Sequence, residues 1–535
     1  MQAAGAIPAG SAVIALCPTN VHVLLSSGLC PGGQVEGRRK EWAMARSAPA
    51  TAAYYSRENA LASLRCIDPH YPESSIWRIL ADPDNSHLLQ YIYAEAFTHV
   101  FPGHSTSYPA KRFFSDLDAE LASSPLFHLW TVLPLCRYRC DFCQFPILVL
   151  SHKEEQAAQA AKRWVDANIA EAKLWLAAVP ALSSAPIGEF CLFGGTPSAI
   201  PMAELVRLVR FYQDNFHFTD QTSLRAEGSP DSLNEENLAA LFAMGFKTLT
   251  YGIQSFDDRL LRLANRRHTG TEAAQAITRA HTLGFARIDG DLIWGLPGQG
   301  VEDFLADVQR MLALDFSTIV IIKLHLRPFA EVDTAIGHQA PAAWQYPAVR
   351  ERLAQEGYRW PSLGEQYQMR DVAVTLLEQA GYYEHPTTYF PKRSFGPERW
   401  RALNLDQDKQ HPQVGIGLGG YTWSSHSEAH IVTAPREYLQ RVHAGEIPFS
   451  SVTGISGAER EIRSVRMSLS TCQPLYEQWH RSQFPRSSLF EGRWAEVFAH
   501  LARRGLALVD RQRGEVRLTR EGKTLVEAII NTEIG

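Results

Sequence analysis

Cys136, Cys140 and Cys143 lie within eight residues of one another in the stretch "LWTVLPLCRYRCDFCQF", whereas the other five of the eight cysteines are scattered from Cys17 to Cys472. Grouped thiols hold a metal, run thiol–disulfide chemistry or carry an iron–sulfur cluster. A structural zinc needs four ligands in tetrahedral array, usually as two paired knuckles, and no second Cys or Cys/His pair lies close by in the sequence. A thiol redox site uses Cys-x-x-Cys at a helix start and has no need of Cys136. Arg137, Arg139 and Asp141 between the thiols argue for an exposed segment and against a chance grouping in a packed loop. What remains is a 4Fe-4S cluster held by three thiolates, with one iron left open for a substrate or cofactor.

The surrounding elements must place that loop. Short β-favouring runs occupy residues 127–133, 189–195, 223–229, 248–255, 287–297 and 317–326, separated by helical patterns. One of these, "PMAELVRLVRFYQDNF", puts Leu205, Val206, Leu208, Val209 and Tyr212 on one apolar face, with Pro201 suited to the first turn. Strand–helix units in this order make a parallel βα array, curved as a partial barrel or open as a doubly wound sheet. In both, chemistry gathers at the C-terminal ends of the strands. The cysteines follow the first run, "GGTPS" the second, Glu227 the third, Gln254 the fourth and "GLPGQ" the fifth, so the unusual residues share one rim.

The spacing C-x3-C-x2-C is the signature of radical S-adenosylmethionine (SAM) enzymes. With "FGGTPS", "RAEGSP", "YGIQSF", "ANRRHTG" and "DLIWGLPGQ" following in order, the chain resembles the oxygen-independent coproporphyrinogen III oxidase (HemN-like) family. The resemblance implies an α/β fold: a partial (βα)6 TIM-like barrel with a HemN-like α/β extension. It also implies a 4Fe-4S cluster on Cys136, Cys140 and Cys143, whose open iron takes SAM and whose electron releases a 5′-deoxyadenosyl radical. Two SAM molecules are expected. Phe142, Gly194 and Glu227 match positions beside the cluster-bound one, and Gly195, Thr196, Gln254, Arg266 and Asp291 match positions around the second. Chemically, a carboxylate suits a cationic group, Arg a carboxylate, and glycine a close backbone approach. Each also has an ordinary alternative: Glu227 or Arg266 as a surface ion pair, Asp291 as a helix cap. His325 is a candidate proton acceptor, or a packed histidine.

Departures from the family pattern shape the expected reaction. Trp130, a candidate cofactor contact, stands where the family has Tyr and Val132 where it has His, so the donors of that strand are expected to be lost; Phe145 replaces the fourth cysteine of the oxidases. "PERWRALNLDQDKQ" does not reproduce the His-Asn-x-x-Tyr-Trp motif of the heme chaperones. The missing oxidase cysteine, together with the retained Gln254, Arg266 and Asp291, points to methyl or methylene transfer from SAM to an sp2 carbon of a small natural-product-like molecule, similar to the class C methyltransferases and cyclopropanases. Oxidative decarboxylation of a porphyrinogen, heme modification and heme carriage are the alternatives. An external one-electron donor of flavodoxin or ferredoxin type is implied.

The chain has 535 residues, 45% hydrophobic and 20% charged, with a net charge of −5. That balance, with only short basic runs, gives no nucleic-acid stripe. No run reaches the roughly 20 apolar residues of a membrane span, and irregular cysteine spacing suits a reducing, cytoplasmic setting. The expected organisation is an N-terminal extension over residues 1–85, partly disordered, with Met44 as a candidate start; the radical SAM barrel over 86–327, entered by a helix over 86–101; an accessory region over 328–455 with a helix over 365–380; and a winged-helix-like unit over 456–535. The Trp and Tyr residues from Trp344 to Trp423 read as core or as a flat pocket wall.

Overall fold

The computed structural model describes Leu88, residues 108–324, Leu326, and residues 342–361, 363–395 and 411–534. Apart from Leu88, the expected N-terminal extension, with Met44 and the lead-in helix, lies outside the described residues, as does "PERWRALNLDQDKQ".

Six strands follow one another in parallel: β1 (Phe127–Leu133), β2 (Ile187–Gly194), β3 (Ser223–Gly228), β4 (Thr248–Gln254), β5 (Arg287–Trp294) and β6 (Thr318–Lys323). Helices cross between them: α1 (Glu154–Ala178), α2 (Met202–Asn215), α3 (Glu235–Ala243), α4 (Asp258–Leu263), α5 (Gly270–Leu283) and α6 (Val301–Ala313). Local sequence explains both kinds of element. In α2, Leu205, Leu208, Val209 and Tyr212 are buried as their spacing predicts, Val206 is half-buried, and Pro201 is the N-cap. Thr269 and Glu272 form a capping box at the start of α5, and Gly284 ends it in the left-handed region at φ 86°, where glycine has no Cβ to clash.

The array is the α/β partial barrel expected, but its sheet extends past both ends. A strand β7 (Tyr389–Pro391) pairs antiparallel with β6. On the other side β8 (Gln413–Gly417) lies parallel to β1 and leads into the antiparallel β9 (Tyr421–Trp423), β10 (Ser427–Ile431) and β11 (Phe449–Gly454). The eleven strands run in the order β11-β10-β9-β8-β1-β2-β3-β4-β5-β6-β7. The glycine-rich "VGIGLGG" is therefore a buried strand beside the one that leads into the cysteines. Gly417 is at φ 116°, and a Cβ there would collide with the Val132 carbonyl.

A buried polar knot fastens β1, β8 and α1. Glu171 of α1 accepts from the Gly417 amide at 2.9 Å, the Tyr438 hydroxyl at 2.7 Å and the Trp175 indole at 3.1 Å. One turn earlier, Asn168 accepts from Thr131 at 3.0 Å and Tyr212 at 2.7 Å, and donates to the Ile416 carbonyl at 3.3 Å.

The C-terminal part has its own core, with Leu475, Trp494, Phe498, Leu501, Val516 and Ile529 under a small sheet of β12 (Leu475–Tyr476), β13 (Ala507–Asp510) and β14 (Glu515–Leu518). It spans the residues expected to form the winged-helix-like unit. Arg520 donates to the Asp371 carbonyl at 3.0 Å and to Thr375 at 2.6 Å, tying the unit to the helix Leu363–Gln379. Trp344, Tyr382, Phe390 and Trp423 are buried and belong to the core. Among the described residues no helix is long and apolar enough to cross a membrane.

Candidate functional site

The cysteine loop leaves β1 and folds over the C-terminal ends of the strands. Its base is fixed by backbone: Cys136 pairs with Val149, and the Leu150 amide donates to the Cys136 carbonyl at 2.8 Å. Its far side is held by Asn265, which donates to the Arg139 carbonyl at 2.7 Å, and by the Asp141 amide, which donates to Ala264 at 3.2 Å. Arg139 closes the loop on itself through the Cys143 carbonyl at 3.2 Å.

One cleft collects Cys136, Cys140, Cys143, Phe142, Gly194, Gly195, Thr196, Glu227, Gln254, Arg266 and Asp291, residues brought from β1 through β5 and the α4–α5 turn. The two glycines let backbones meet. The Gly195 amide donates to Leu133 and the Thr196 amide to Leu135, both at 2.8 Å, and a Cβ on Gly195 would stand 2.5 Å from the Leu135 carbonyl oxygen. The Thr196 hydroxyl lies 3.3 Å from Cys136 Sγ.

The polar side chains are not surface groups. Glu227 pairs at 3.0 Å with Arg225, which also reaches Glu189 at 3.2 Å. Burial pushes the Glu227 carboxyl up to about 7, with Arg225 working against the rise and Glu189 adding to it. Asp291 stands mid-strand in β5 and caps no helix; burial, then Glu227 and Asp289, hold it well above the carboxylate range. Arg266 donates to Cys140 Sγ at 3.4 Å and to the Gly252 carbonyl. Burial opposes its charge, yet Cys140, Tyr138 and Asp231 keep it firmly protonated. Gln254 takes a left-handed φ of 74°, uncommon outside glycine, and its side-chain amide oxygen is buried without a protein partner.

Three expectations change. Trp130 does not line the cleft: it stands behind Phe193, with ring centroids 5.4 Å apart, and beneath the Arg225 guanidinium at 5.4 Å. Nor is the strand stripped of donors, because the Trp130 indole N–H is present, buried and without a protein acceptor. "GLPGQ" shares the rim but not the cleft. Gln299 accepts from the Gly295 amide at 2.9 Å and the Leu296 amide at 3.1 Å, closing that turn on itself. His325 lies outside the described residues.

Sequence reasoning missed Arg225, Tyr138 and Asp231. The Tyr138 hydroxyl donates to Asp231 at 3.0 Å, and both line the cleft. Burial works against the Asp231 charge, but His268, Ser229, Arg266 and Tyr138 hold its carboxyl below the usual range. Nothing in local spacing signals a pair brought together from two loops.

The donor set fits an iron–sulfur cluster. Among the described residues no group of three or more His, Cys, Asp or Glu side chains is placed to hold a single metal ion; the thiols border a cleft wide enough to be lined from five strands. Burial pushes Cys136 up to about 12 and Cys143 to about 11, so a cluster held by these thiols would bind them as thiolates by displacing their protons.

The comparisons agree with this geometry. The Radical SAM superfamily pattern matches residues 130–311. The heme chaperone HemW of Bacillus subtilis is 23% identical over 407 residues, 75% of this chain and 98% of its own. The oxygen-independent coproporphyrinogen III oxidase of Helicobacter pylori is 25% identical over 380 residues, 66% and 76% of the two chains. In fold, coproporphyrinogen III oxidase (HemN) from Escherichia coli matches with a TM-score of 0.65 at 21% identity, covering 80% of this chain and 96% of that one. The chain thus carries a radical SAM domain, the unit that works with a 4Fe-4S cluster and SAM, on a HemN-like fold.

Proposed function

We propose that the protein is a radical SAM enzyme that oxidises a tetrapyrrole-class substrate without oxygen. The observation that carries this reading is the single cleft in which three thiols meet Glu227, Gln254, Arg266 and Asp291. The names of the relatives supply the substrate class. When bound, the cluster and SAM supply one-electron cleavage of the sulfonium and, through it, hydrogen abstraction.

The chain's own residues bind and orient. Cys136, Cys140 and Cys143 are the cluster ligands. Gly194 and Gly195 keep the wall low enough for a ligand to approach the backbone, and Phe142 packs beside it. Glu227 in its ionised form pairs with the cationic amino end of SAM. Gly195, Thr196, Gln254, Arg266 and Asp291 line the same cleft and are assigned to a second SAM. Trp130 packs against Phe193, outside the cleft lining.

Heme carriage is the second reading, favoured by a relative named a heme chaperone that aligns over 98% of its length. Methyl or methylene transfer, the first expectation from the missing oxidase cysteine at Phe145 and the retained Gln254, Arg266 and Asp291, has no support from the names of these relatives and ranks below both. One anaerobic experiment separates the three. Reconstituted, reduced protein is incubated with SAM and coproporphyrinogen and, in parallel, with SAM and heme. 5′-Deoxyadenosine together with oxidised tetrapyrrole, and no S-adenosylhomocysteine, is the expected outcome. S-adenosylhomocysteine would return the assignment to methyl transfer, and stoichiometric heme binding without SAM cleavage would make the protein a carrier.

A further inference from the structure

Trp130 lies outside the cleft, yet it carries a charged partner: the Arg225 guanidinium stands over its ring, 5.4 Å from the centroid. With one face of the guanidinium set on this aromatic platform, its two terminal nitrogens serve different carboxylates. Nη1 donates to Glu227 Oε1 at 3.0 Å, and Nη2 donates to Glu189 Oε1 at 3.2 Å. Arg225 and Glu227 are two residues apart on β3 and so share a face of the strand. Glu189 comes from β2, is buried and does not line the cleft. One fixed cation is thus divided between a carboxylate in the cleft and a carboxylate behind it.

Among the described residues Arg225 is the hydrogen-bond donor to Glu227, and it engages Oε1 alone, which leaves Oε2 for a ligand in the cleft. The remaining groups around the pair do not supply a second cation to Glu227. Asp289 and Asp291 on β5 and Glu189 on β2 are acidic. Cys191 on β2 and Tyr389 on β7 are buried, and burial disfavours the charged form of each. His128 on β1 is held neutral by burial. Arg266, the other buried cation of the cleft, acts on Asp291. The charge of Glu227 therefore depends on how much of Arg225 it receives, and Glu189 takes a share of the same guanidinium.

We propose that Arg225 is a positioning residue that keeps Glu227 ionised for the ammonium group of SAM, and that Glu189, which does not line the cleft, sets SAM affinity by competing for the same guanidinium. Trp130 acts in this arrangement as the platform that fixes Arg225 between the two carboxylates. The inference rests on the contact between Glu227 and SAM in the proposed function. Its signs follow from the geometry. Removing the Glu189 charge leaves Arg225 to Glu227 alone and takes away a like charge, so Glu227 ionises at lower pH. Removing Arg225 takes away the cation and has the opposite effect.

The test is a calorimetric titration of the full-length, cluster-loaded, oxidised protein with SAM, repeated without oxygen from about pH 5.5 to about pH 8.5. The amine of SAM titrates alike in every profile, so the midpoint is compared between proteins. Glu189→Gln is expected to move the midpoint of the affinity profile down by roughly one pH unit and to tighten SAM binding on its acid side. Arg225→Gln should move it up by a similar amount and weaken SAM binding at neutral pH about 10-fold. Glu189→Gln keeps the shape of the side chain and an acceptor for Arg225, so it decides the matter even where Arg225→Gln folds poorly. A merely structural ion pair would lower the melting temperature of both variants and leave the midpoints in place; unmoved midpoints, or a Glu189→Gln shift upward, would overturn the proposal. Glu227→Gln separates the two levels of the argument. Weakened binding in that variant with an unmoved Glu189→Gln midpoint sinks the role of Arg225 and Glu189 alone, whereas unweakened binding removes Glu227 from the SAM contact and takes this proposal with it.

Discussion

Glu227 has two neighbours of opposite effect, and burial outweighs the favourable one. Its carboxyl titrates at about 7, so near neutrality a cationic ligand decides its charge. Affinity of the cluster-loaded protein for SAM is therefore expected to rise between pH 6 and pH 8, as the carboxylate forms, and Glu227→Gln should bind about 10-fold more weakly with a flat profile, measured by calorimetric titration. The sign for stability is opposite. With its folded pKa above the ordinary 4.5, Glu227 holds its proton more tightly in the folded chain, and its contribution declines as pH climbs from 4.5 to 7. The thiols give a sharper test. Cys136→Ala, Cys140→Ala and Cys143→Ala should each abolish the broad visible absorbance of the reconstituted cluster, whereas Cys191→Ala should keep it, because Cys191 is fully buried on β2. At this scale the cysteines were legible because their spacing is local. Arg225 was not, since its meaning comes from Glu189 and Glu227 on two strands.

Among the elements, β1 ends where its apolar run ends, and the strands after it differ from their sequence readings by only a few residues. Alternation of β-branched runs with helical spacing was enough to find them. The neighbour of β1 was hidden, because a parallel pairing between residues 128–132 and 413–417 leaves no trace in any window of sequence. What makes it specific is the knot on α1. Replacing Glu171 by Gln keeps an oxygen for the Trp175 indole but sets an NH2 group against the Gly417 amide. Chemical denaturation is expected to show a loss of about 1–3 kcal/mol, the cost of a buried donor left without an acceptor, and Tyr438→Phe a smaller loss of about 1 kcal/mol. "GLPGQ" teaches the converse: its glycines look like a binding loop, yet Gln299 already satisfies the turn's amides.

Taken whole, the molecule does not divide where its sequence pattern changes. The accessory segment expected over residues 328–455 contributes strands to both margins of the barrel sheet, so a chain cut after Leu326 would leave both β1 and β6 as open parallel edges. Such a fragment is expected to aggregate where the full chain does not, as size-exclusion chromatography would show. The strand Gln413–Gly417 carries one more consequence. The ribosome releases β1 long before β8, and at about 5–20 residues per second the interval is on the order of 15–60 s. Until it ends, the strand beneath the three cysteines has only one of its two neighbours. The order of birth along the chain therefore means that the polar knot of Glu171 and Asn168, which joins both strands to α1, closes only after Ile416, Gly417 and Tyr438 have been made.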